Sequence, residues 1–426
     1  MKKLTCKILV VLLLCVLCGL NARAQKLSSD EQKILSYVDA HKDEAVALLE
    51  NVVNIESPTE NIAGVKQVGM VFQKELESLG LTAKWIDMPP EMQRAGHLLA
   101  QTTGTKGKRV LLLGHIDTVL RGEKFRREGN RAFGTGTADM KAGDVVLLYA
   151  LKALQAAGAL KDTRIVVMLT GDEEDAGRPL QISRGHMVTA AKNADLALSF
   201  EAAVDSAATV GRRGSSNWTL EVTGRTGHSA GIFKADAGTG AIFEAARIIN
   251  QFYETLHTEK YLTFNPSVIV GGTQAKLDET TGTATGKTNV IPAKVVVNGD
   301  LRFISQEQKE SARARMREIV AHGLPGTTAK ITFDDGYPAM TPNEGNVALL
   351  KQLDQVSQDL GFGKVVALDP GERGAGDIAF VSHLIPGLDG IGARGGGSHA
   401  PGEFMDLKSL PMLTKRAAIL IYRLTR

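Results

Sequence analysis

Beyond its first 24 residues the chain contains no cysteine, because Cys6, Cys15 and Cys18 all precede that point. Residues 25–426 therefore cannot form a disulfide. Excess positive charge is also missing there. Lys2, Lys3, Lys7 and Arg23 lie in the leading segment with no acid among them, so setting it aside takes the formal charge from +3 to −1. That removes the argument for a nucleic acid or a membrane surface as partner. There is no internal repeat and no low-complexity tract. With 43% hydrophobic and 23% charged residues, the composition is that of an ordinary globular protein rather than a disordered one.

The leading segment has a pattern of its own. Lys2, Lys3 and Lys7 form a basic start, and Ile8–Leu20 is apolar but only 13 residues long, too short to cross a bilayer as a helix. Ala22-Arg23-Ala24 then supplies a small-x-small site before Gln25. This is the grammar of a cleaved secretory signal over residues 1–24, and it predicts a secreted, periplasmic protein with no membrane attachment after cleavage. Cys15 and Cys18 follow Leu14 and Leu17 rather than the small residue that lipoprotein processing favours, so a lipid anchor is the less favoured alternative to cleavage at Ala24.

At 426 residues, two domains are expected. The chain is organised around Arg109–Thr118. Val110 to Leu113 are four consecutive apolar residues, the signature of a strand buried on both faces of a parallel sheet, and Gly114 ends the run. His115 and Asp117 therefore fall at a strand's carboxyl end, the edge of an open α/β sheet where ligands bind. Asp117, two residues on, can orient the His115 ring through its other nitrogen. Acidic echoes follow. The glycine-punctuated loop Gly134–Gly143 carries Asp139, the run Arg164–Thr170 delivers Glu173 and Glu174, and the run Ala194–Phe200 delivers Glu201. Strands alternate with helical stretches through this region, which predicts a mostly parallel sheet flanked by helices.

The texture changes after Val210. Gly211–Ser216 reads as a linker, and a strand, helix, strand, strand, helix, strand order follows to about Phe333, the ferredoxin-like α+β plan inserted as a second domain. The remainder returns to α/β grammar, with a glycine-rich loop at Gly371–Asp377 entering a helix at Ile378–His383 and a second loop carrying His399. The expected division is residues 25–211 and 336–426 for the catalytic domain, with 212–335 inserted.

His115, Asp139, Glu201, His399 and the Glu173-Glu174 pair form a mixed oxygen and nitrogen set that suits zinc, or less tightly cobalt or manganese. Two ions about 3.5–4 Å apart need a bridging carboxylate plus roughly one imidazole and one carboxylate each, and the set supplies that count. Adjacent glutamates do not both point at one ion, so one of the pair can ligate while the other takes a proton. Taken singly, each of these residues could be surface polarity; His186, His257, His322 and His383 carry no motif and read as solvated or capping residues.

Gly114-His-Ile-Asp-Thr-Val119, Gly134-Thr-Gly-Thr-Ala-Asp-Met-Lys-Ala-Gly143, Thr170-Gly-Asp-Glu-Glu174, Ser199-Phe-Glu-Ala202 and Gly395-Gly-Gly-Ser-His-Ala-Pro-Gly-Glu403 resemble, in order and spacing, the serial motifs of a known family. It is the di-zinc metallopeptidase family of glutamate carboxypeptidase, aminoacylase and succinyl-diaminopimelate desuccinylase. The resemblance implies two zinc ions per chain, with His115 and Glu201 on one, Glu174 and His399 on the other, and Asp139 bridging. It makes Glu173 the general base and later the acid, has Asp117 orient His115, and implies a cis peptide at Asp139–Met140. The inserted domain becomes a lid that also forms a homodimer. His228, in Thr226-Gly-His-Ser229, would polarise the scissile carbonyl from the partner subunit, while Asn289 and Arg302 would hold the substrate's carboxylate. One departure matters. Where glutamate-specific members carry an arginine shortly before a Pro-Ala pair, this chain has Asp334-Asp-Gly-Tyr-Pro-Ala339, so a neutral or apolar residue on the leaving side is expected.

The function these readings point to is an exported zinc exopeptidase, carboxypeptidase-like, cleaving the amide of small peptides or N-acyl amino acids. The rivals are a zinc amidohydrolase acting on a non-peptide amide and a periplasmic peptide-binding protein without turnover. A glutamate to spare beside a filled metal set favours hydrolysis over binding.

Overall fold

A computed structural model describes residues 26–278 and 281–426; the signal-like segment lies outside the described residues. The chain's central strand is Lys106–His115. Along it, alternate side chains enter different cores: Val110 and Leu112 join one apolar cluster, Leu111 and Leu113 another. Period-two alternation with both faces apolar means a sheet covered on both sides.

That sheet contains, in chain order, β1 (Thr82–Ile86), β2 (His97–Gln101), β3 (Lys106–His115), β4 (Thr163–Thr170) and β5 (Leu196–Ser199). Later the chain adds β6 (Gly214–Gly224), β7 (Thr263–Gly272), β8 (Lys294–Phe303) and β9 (Thr327–Asp335) in a separate sheet, and β10 (Gly387–Leu388) returns to the first. The spatial order of the first sheet is β1-β2-β4-β3-β5-β10. β3 runs parallel to β4 and β5, and β5 parallel to β10, while β2 is antiparallel to both its neighbours. Three neighbouring strands thus end on one edge, carrying His115, Thr170 and Ser199 to the same place. The helix Lys141–Ala156, apolar on nearly every side, is buried beneath the terminal helix Ser409–Leu424 and the first helix Ser29–Ala40.

The second sheet has the order β7-β8-β6-β9, antiparallel throughout, with the helices Ala241–Leu256 and Gln306–Ala321 on one face. Trp218, Leu220 and Val222 alternate toward those helices, and Trp218 meets Phe252 edge-on at 5.9 Å. The intervening Asn217, Thr219 and Glu221 leave the other face polar. This is the ferredoxin-like arrangement read from the order of elements. Among the described residues, no helix is long and apolar enough to cross a membrane.

Three local expectations change. Gly211–Ser216 is no plain linker, since Arg212 is buried and β6 already begins at Gly214. The segment read as a helix from Ile378 holds only a 3-10 turn, Asp377–Phe380, because the Asp377 carboxylate is committed to Thr170 at 2.6 Å and Arg184 at 2.7 Å, and these anchors rather than helical periodicity set its path. The hairpin Arg126–Glu128 with Arg131–Phe133 and the hairpin Gln274–Leu277 with Gly282–Thr285 were not foreseen, as their strands are only three or four residues long and mostly exposed.

Candidate metal centre

His115 leaves β3 fully buried, and its two ring nitrogens face opposite ways. Nδ1 lies 3.4 Å from an Asp117 carboxylate oxygen, while Nε2 lies 3.2 Å from Asp139 Oδ1 and 3.7 Å from Glu201 Oε1. The other Asp139 oxygen, Oδ2, lies 3.3 Å from His399 Nε2, which is also 3.1 Å from Glu174 Oε2. Asp139 therefore stands between two imidazoles, one oxygen to each. The Asp139–Met140 peptide is cis, as the resemblance implies.

Asp117 is deeper. Its carboxylate accepts the Thr59 hydroxyl at 2.7 Å and the backbone N–H groups of Glu173 and Glu174, each at 3.1 Å. One buried acid thus fixes both the His115 ring and the turn after β4 that presents the paired glutamates. Two overlapping groups of donor atoms lie within 4.8 Å of one another: His115, Asp139 and Glu174, and His115, Glu173 and Glu201. The second group includes Glu173, yet the imidazole ion pairs run to Asp139, Glu174 and Glu201. We take Glu173 as the carboxylate beside the donor set rather than within it, because a neighbour in sequence already faces His399.

The titration behaviour shows a site short of positive charge. Burial pushes the Glu201 carboxyl up to about 7 against the pull of Arg212, and burial raises Glu173 well above the usual carboxylate range. Hydrogen bonds to Asp139 and Glu174 push His399 up to about 10. Burial opposes charge on His115, but Asp117 and Asp139 hold its pKa well above the ordinary value. Acids and imidazoles crowded in low dielectric retain protons that divalent cations would displace. Three carboxylates, Asp139, Glu174 and Glu201, and two imidazoles, with Glu173 beside them, fit two such ions.

Two supporting residues escaped the sequence reading. Arg212, read as linker, is buried with its guanidinium 3.8 Å from Glu201 and 2.8 Å from Asp389, and it donates to the Gly374 carbonyl at 2.8 Å and to the Ala375 carbonyl. Glu403 was quoted within a motif but given no role. Its Oε1 accepts from the backbone N–H of Ala138 at 2.7 Å and of Asp139 at 2.9 Å, and Oε2 from Gly136 at 2.8 Å. Only its place four residues after His399 hinted at this. Glu403→Gln should lower metal affinity about tenfold or more, because an amide NH₂ would meet one of these N–H groups donor to donor and loosen the loop that aims Asp139. Chelator competition measures this, and an unchanged affinity would show that the loop holds itself.

The inserted sheet separates the remaining expected residues. His228 and Asn289 are neighbours, with an isolated bridge between His228 and Val290 and a Ser229 N–H to Asn289 carbonyl bond of 2.9 Å; both side chains are exposed. Arg302 is at the other end of the sheet, paired with Ser215 in the ladder and bonded to Asp300 at 2.6 Å. From the Arg302–Ser215 pair to the Lys294–Thr223 pair the strands run roughly 25 Å. Asn289 thus belongs with His228, not with Arg302.

The chain is similar in sequence and in fold to known proteins. The profile of Peptidase family M20/M25/M40 matches residues 111–423. Carboxypeptidase G2 from Pseudomonas sp. (strain RS-16) is 28% identical over 391 residues, 88% of this chain and 88% of its own. A succinyl-diaminopimelate desuccinylase from Nitrosospira multiformis is 26% identical over 405 residues, 90% of this chain and 97% of its own. Among solved structures, the aminopeptidase PepT from Bacillus cereus superposes with a TM-score of 0.72 at 18% identity, covering 90% of this chain and 99% of the other. The YXEP protein of Bacillus subtilis, described as a dinuclear metal binding peptidase, gives 0.62 at 15% identity over 91% and 99%. At those identities the superpositions bear on the fold alone.

Proposed function

Because the chain belongs to the M20/M25/M40 peptidase family of metal-dependent hydrolases, we propose that it is an exported zinc exopeptidase, carboxypeptidase-like, that hydrolyses the amide of small peptides or N-acyl amino acids. The observation that carries this reading is the Asp139 carboxylate set between His115 and His399 at 3.2 and 3.3 Å, with Glu173 beside the donor set. His115 and Glu201 would hold one ion, Glu174 and His399 the other, and Asp139 both. When bound, the two cations, zinc by donor chemistry with cobalt or manganese as substitutes, supply the positive charge that polarises the scissile carbonyl and acidifies the attacking water.

The chain's own groups do the rest. Glu173, its carboxyl already raised by burial, takes the proton from the water and passes it to the leaving amine. Asp117 keeps the His115 ring in place, and Arg302 pairs with the substrate's carboxylate from the hinge end of the inserted sheet. The stretch Asp334–Ala339 carries no arginine, and its Tyr337 donates to the Glu173 carbonyl at 2.6 Å and is not a second cation. The reading is therefore a neutral or apolar leaving residue.

The inserted domain also offers a surface for a second copy. Phe233, Ile242, Phe243 and Ile269 are 67%, 47%, 52% and 58% exposed, and β7 beside them is an edge strand of its sheet among the described residues. A contiguous apolar face next to an open edge favours self-association, and His228 and Asn289 lie on the same domain.

The test is made on protein recovered from the periplasmic fraction. Its mass should correspond to a chain starting at Gln25, metal analysis should find near two equivalents, and a panel of dipeptides and N-acyl amino acids should be turned over with complete loss on chelation. One equivalent or none sinks the dinuclear reading. Turnover confined to non-peptide amides would make the protein an amidohydrolase of another kind.

A further inference from the structure

Behind the metal centre is a buried polar network that the proposed reaction does not use. Arg184, 1% exposed, donates to Asp172 Oδ1 at 2.5 Å, to the Asp172 carbonyl at 3.0 Å and to Asp377 at 2.7 Å. His97, also buried, lies 3.9 Å from Asp172. The network ends at Tyr337, whose hydroxyl lies 2.8 Å from Arg184 Nη2 and 2.6 Å from the Glu173 carbonyl oxygen. A guanidinium only donates, so the phenol oxygen must accept from Arg184, and its single proton must go to Glu173. Burial raises the phenol pKa well above its usual value, which keeps that proton in place.

Tyr337 also belongs to the hinge. The inserted domain is entered and left through two adjacent strands, held together where Arg212 and Met340 exchange backbone bonds of 3.0 Å, the Ser215 N–H meets the Tyr337 carbonyl at 2.8 Å, and the Tyr337 N–H meets Ser215 Oγ at 3.1 Å. Two residues earlier in this ribbon, the Asp335 carbonyl accepts from Arg178 at 2.7 Å, tying the loop after Glu174 to the same strand. Glu173 is therefore gripped on both of its peptide groups: its N–H by Asp117, its carbonyl by a side chain rooted in the hinge.

We propose that Tyr337 is a positioning residue that holds the Glu173 main chain from the hinge, so that the angle of the inserted domain and the aim of the Glu173 carboxylate are set together. This rests on Glu173 being the general base. Phenylalanine at 337 would keep the ring against Phe380, where the centroids are 4.9 Å apart, and delete only the oxygen that makes the two hydrogen bonds.

The experiment is steady-state kinetics of the metal-loaded Tyr337→Phe enzyme on a dipeptide that the wild type cleaves, with metal content and melting temperature measured alongside. Losing one buried donor to a main-chain carbonyl should lower kcat about tenfold, with KM within about twofold and metal content at the wild-type level. A kcat near wild type overturns the inference, as does a fall that tracks lost metal or is matched by a rise in KM. Should Tyr337→Phe not fold, Ser215→Ala takes its place: it removes the one side-chain bond from the hinge to the Tyr337 N–H, leaving the backbone bond to the Tyr337 carbonyl, and should lower kcat several-fold with KM unmoved, and an unchanged kcat overturns the inference. Glu173→Ala, run in parallel, separates the two levels. If it stays active, the general-base reading fails; if it is dead while Tyr337→Phe is unimpaired, that reading stands and the role of Tyr337 falls.

Discussion

Glu173→Ala should lose roughly 10²–10⁴-fold in turnover while keeping its fold and both metal ions, and Glu174→Ala should lose metal. The two residues are consecutive and share one anchor, since Asp117 accepts a backbone N–H from each. Their side chains part from there. Glu174 faces His399 at 3.1 Å, within the donor set, whereas the imidazoles pair with other carboxylates than Glu173. Removing Glu174 leaves His399 and Asp139 to hold one ion with a ligand missing; removing Glu173 leaves every proposed ligand in place. Metal content measured beside kcat decides the matter. Equal metal loss in the two variants would mean that Glu173 is itself a ligand, in keeping with its place within 4.8 Å of His115 and Glu201.

His228→Ala should be nearly as damaging, about 10²–10³-fold, because a donor to the developing oxyanion is lost. The stronger expectation is that mixing dead Glu173→Ala with dead His228→Ala, under conditions that exchange subunits, restores activity. His228 and Asn289 lie together at the end of the inserted sheet remote from the hinge, roughly 25 Å along the strands from Arg302. The expectation is that a partner docked along β7 and the exposed Phe233–Phe243 face presents them to the metal centre in trans. Each mixed dimer then contains one site with both defects and one with neither, and full random exchange should bring activity to about a quarter of wild type. Heterodimers shown to form without regained activity would place His228 in its own chain's site or outside catalysis.

Much of the centre was legible because its residues are written at the ends of regular elements. A run such as Val110–Leu113 announces a buried strand, and whatever follows a parallel strand's carboxyl end falls on the binding edge; the positions of His115, Glu173, Glu174 and Glu201 follow from this alone. The inserted ferredoxin-like unit was legible for the same reason, as Trp218, Leu220 and Val222 alternate with polar neighbours. By contrast, β2 escaped because His97–Gln101 is short and runs against its neighbours, and the turn at Asp377–Phe380 looked helical because its apolar residues do not reveal the ion pair that holds it.

By itself, then, the sequence determined the strand-helix order, the edge on which the chemistry gathers, and the donor types that suit a pair of divalent cations. These follow from local periodicity and from short spacings along one strand or loop. The tertiary structure alone decided that Glu403 grips the Asp139 loop from 264 residues away, that Arg212 backs Glu201, that Asn289 keeps company with His228 rather than Arg302, and that Tyr337 reaches Glu173 across 164 positions. Each of these is a handful of contacts or a placement between distant segments. No periodic pattern encodes such a contact, because it exists only once both segments have packed against the same core.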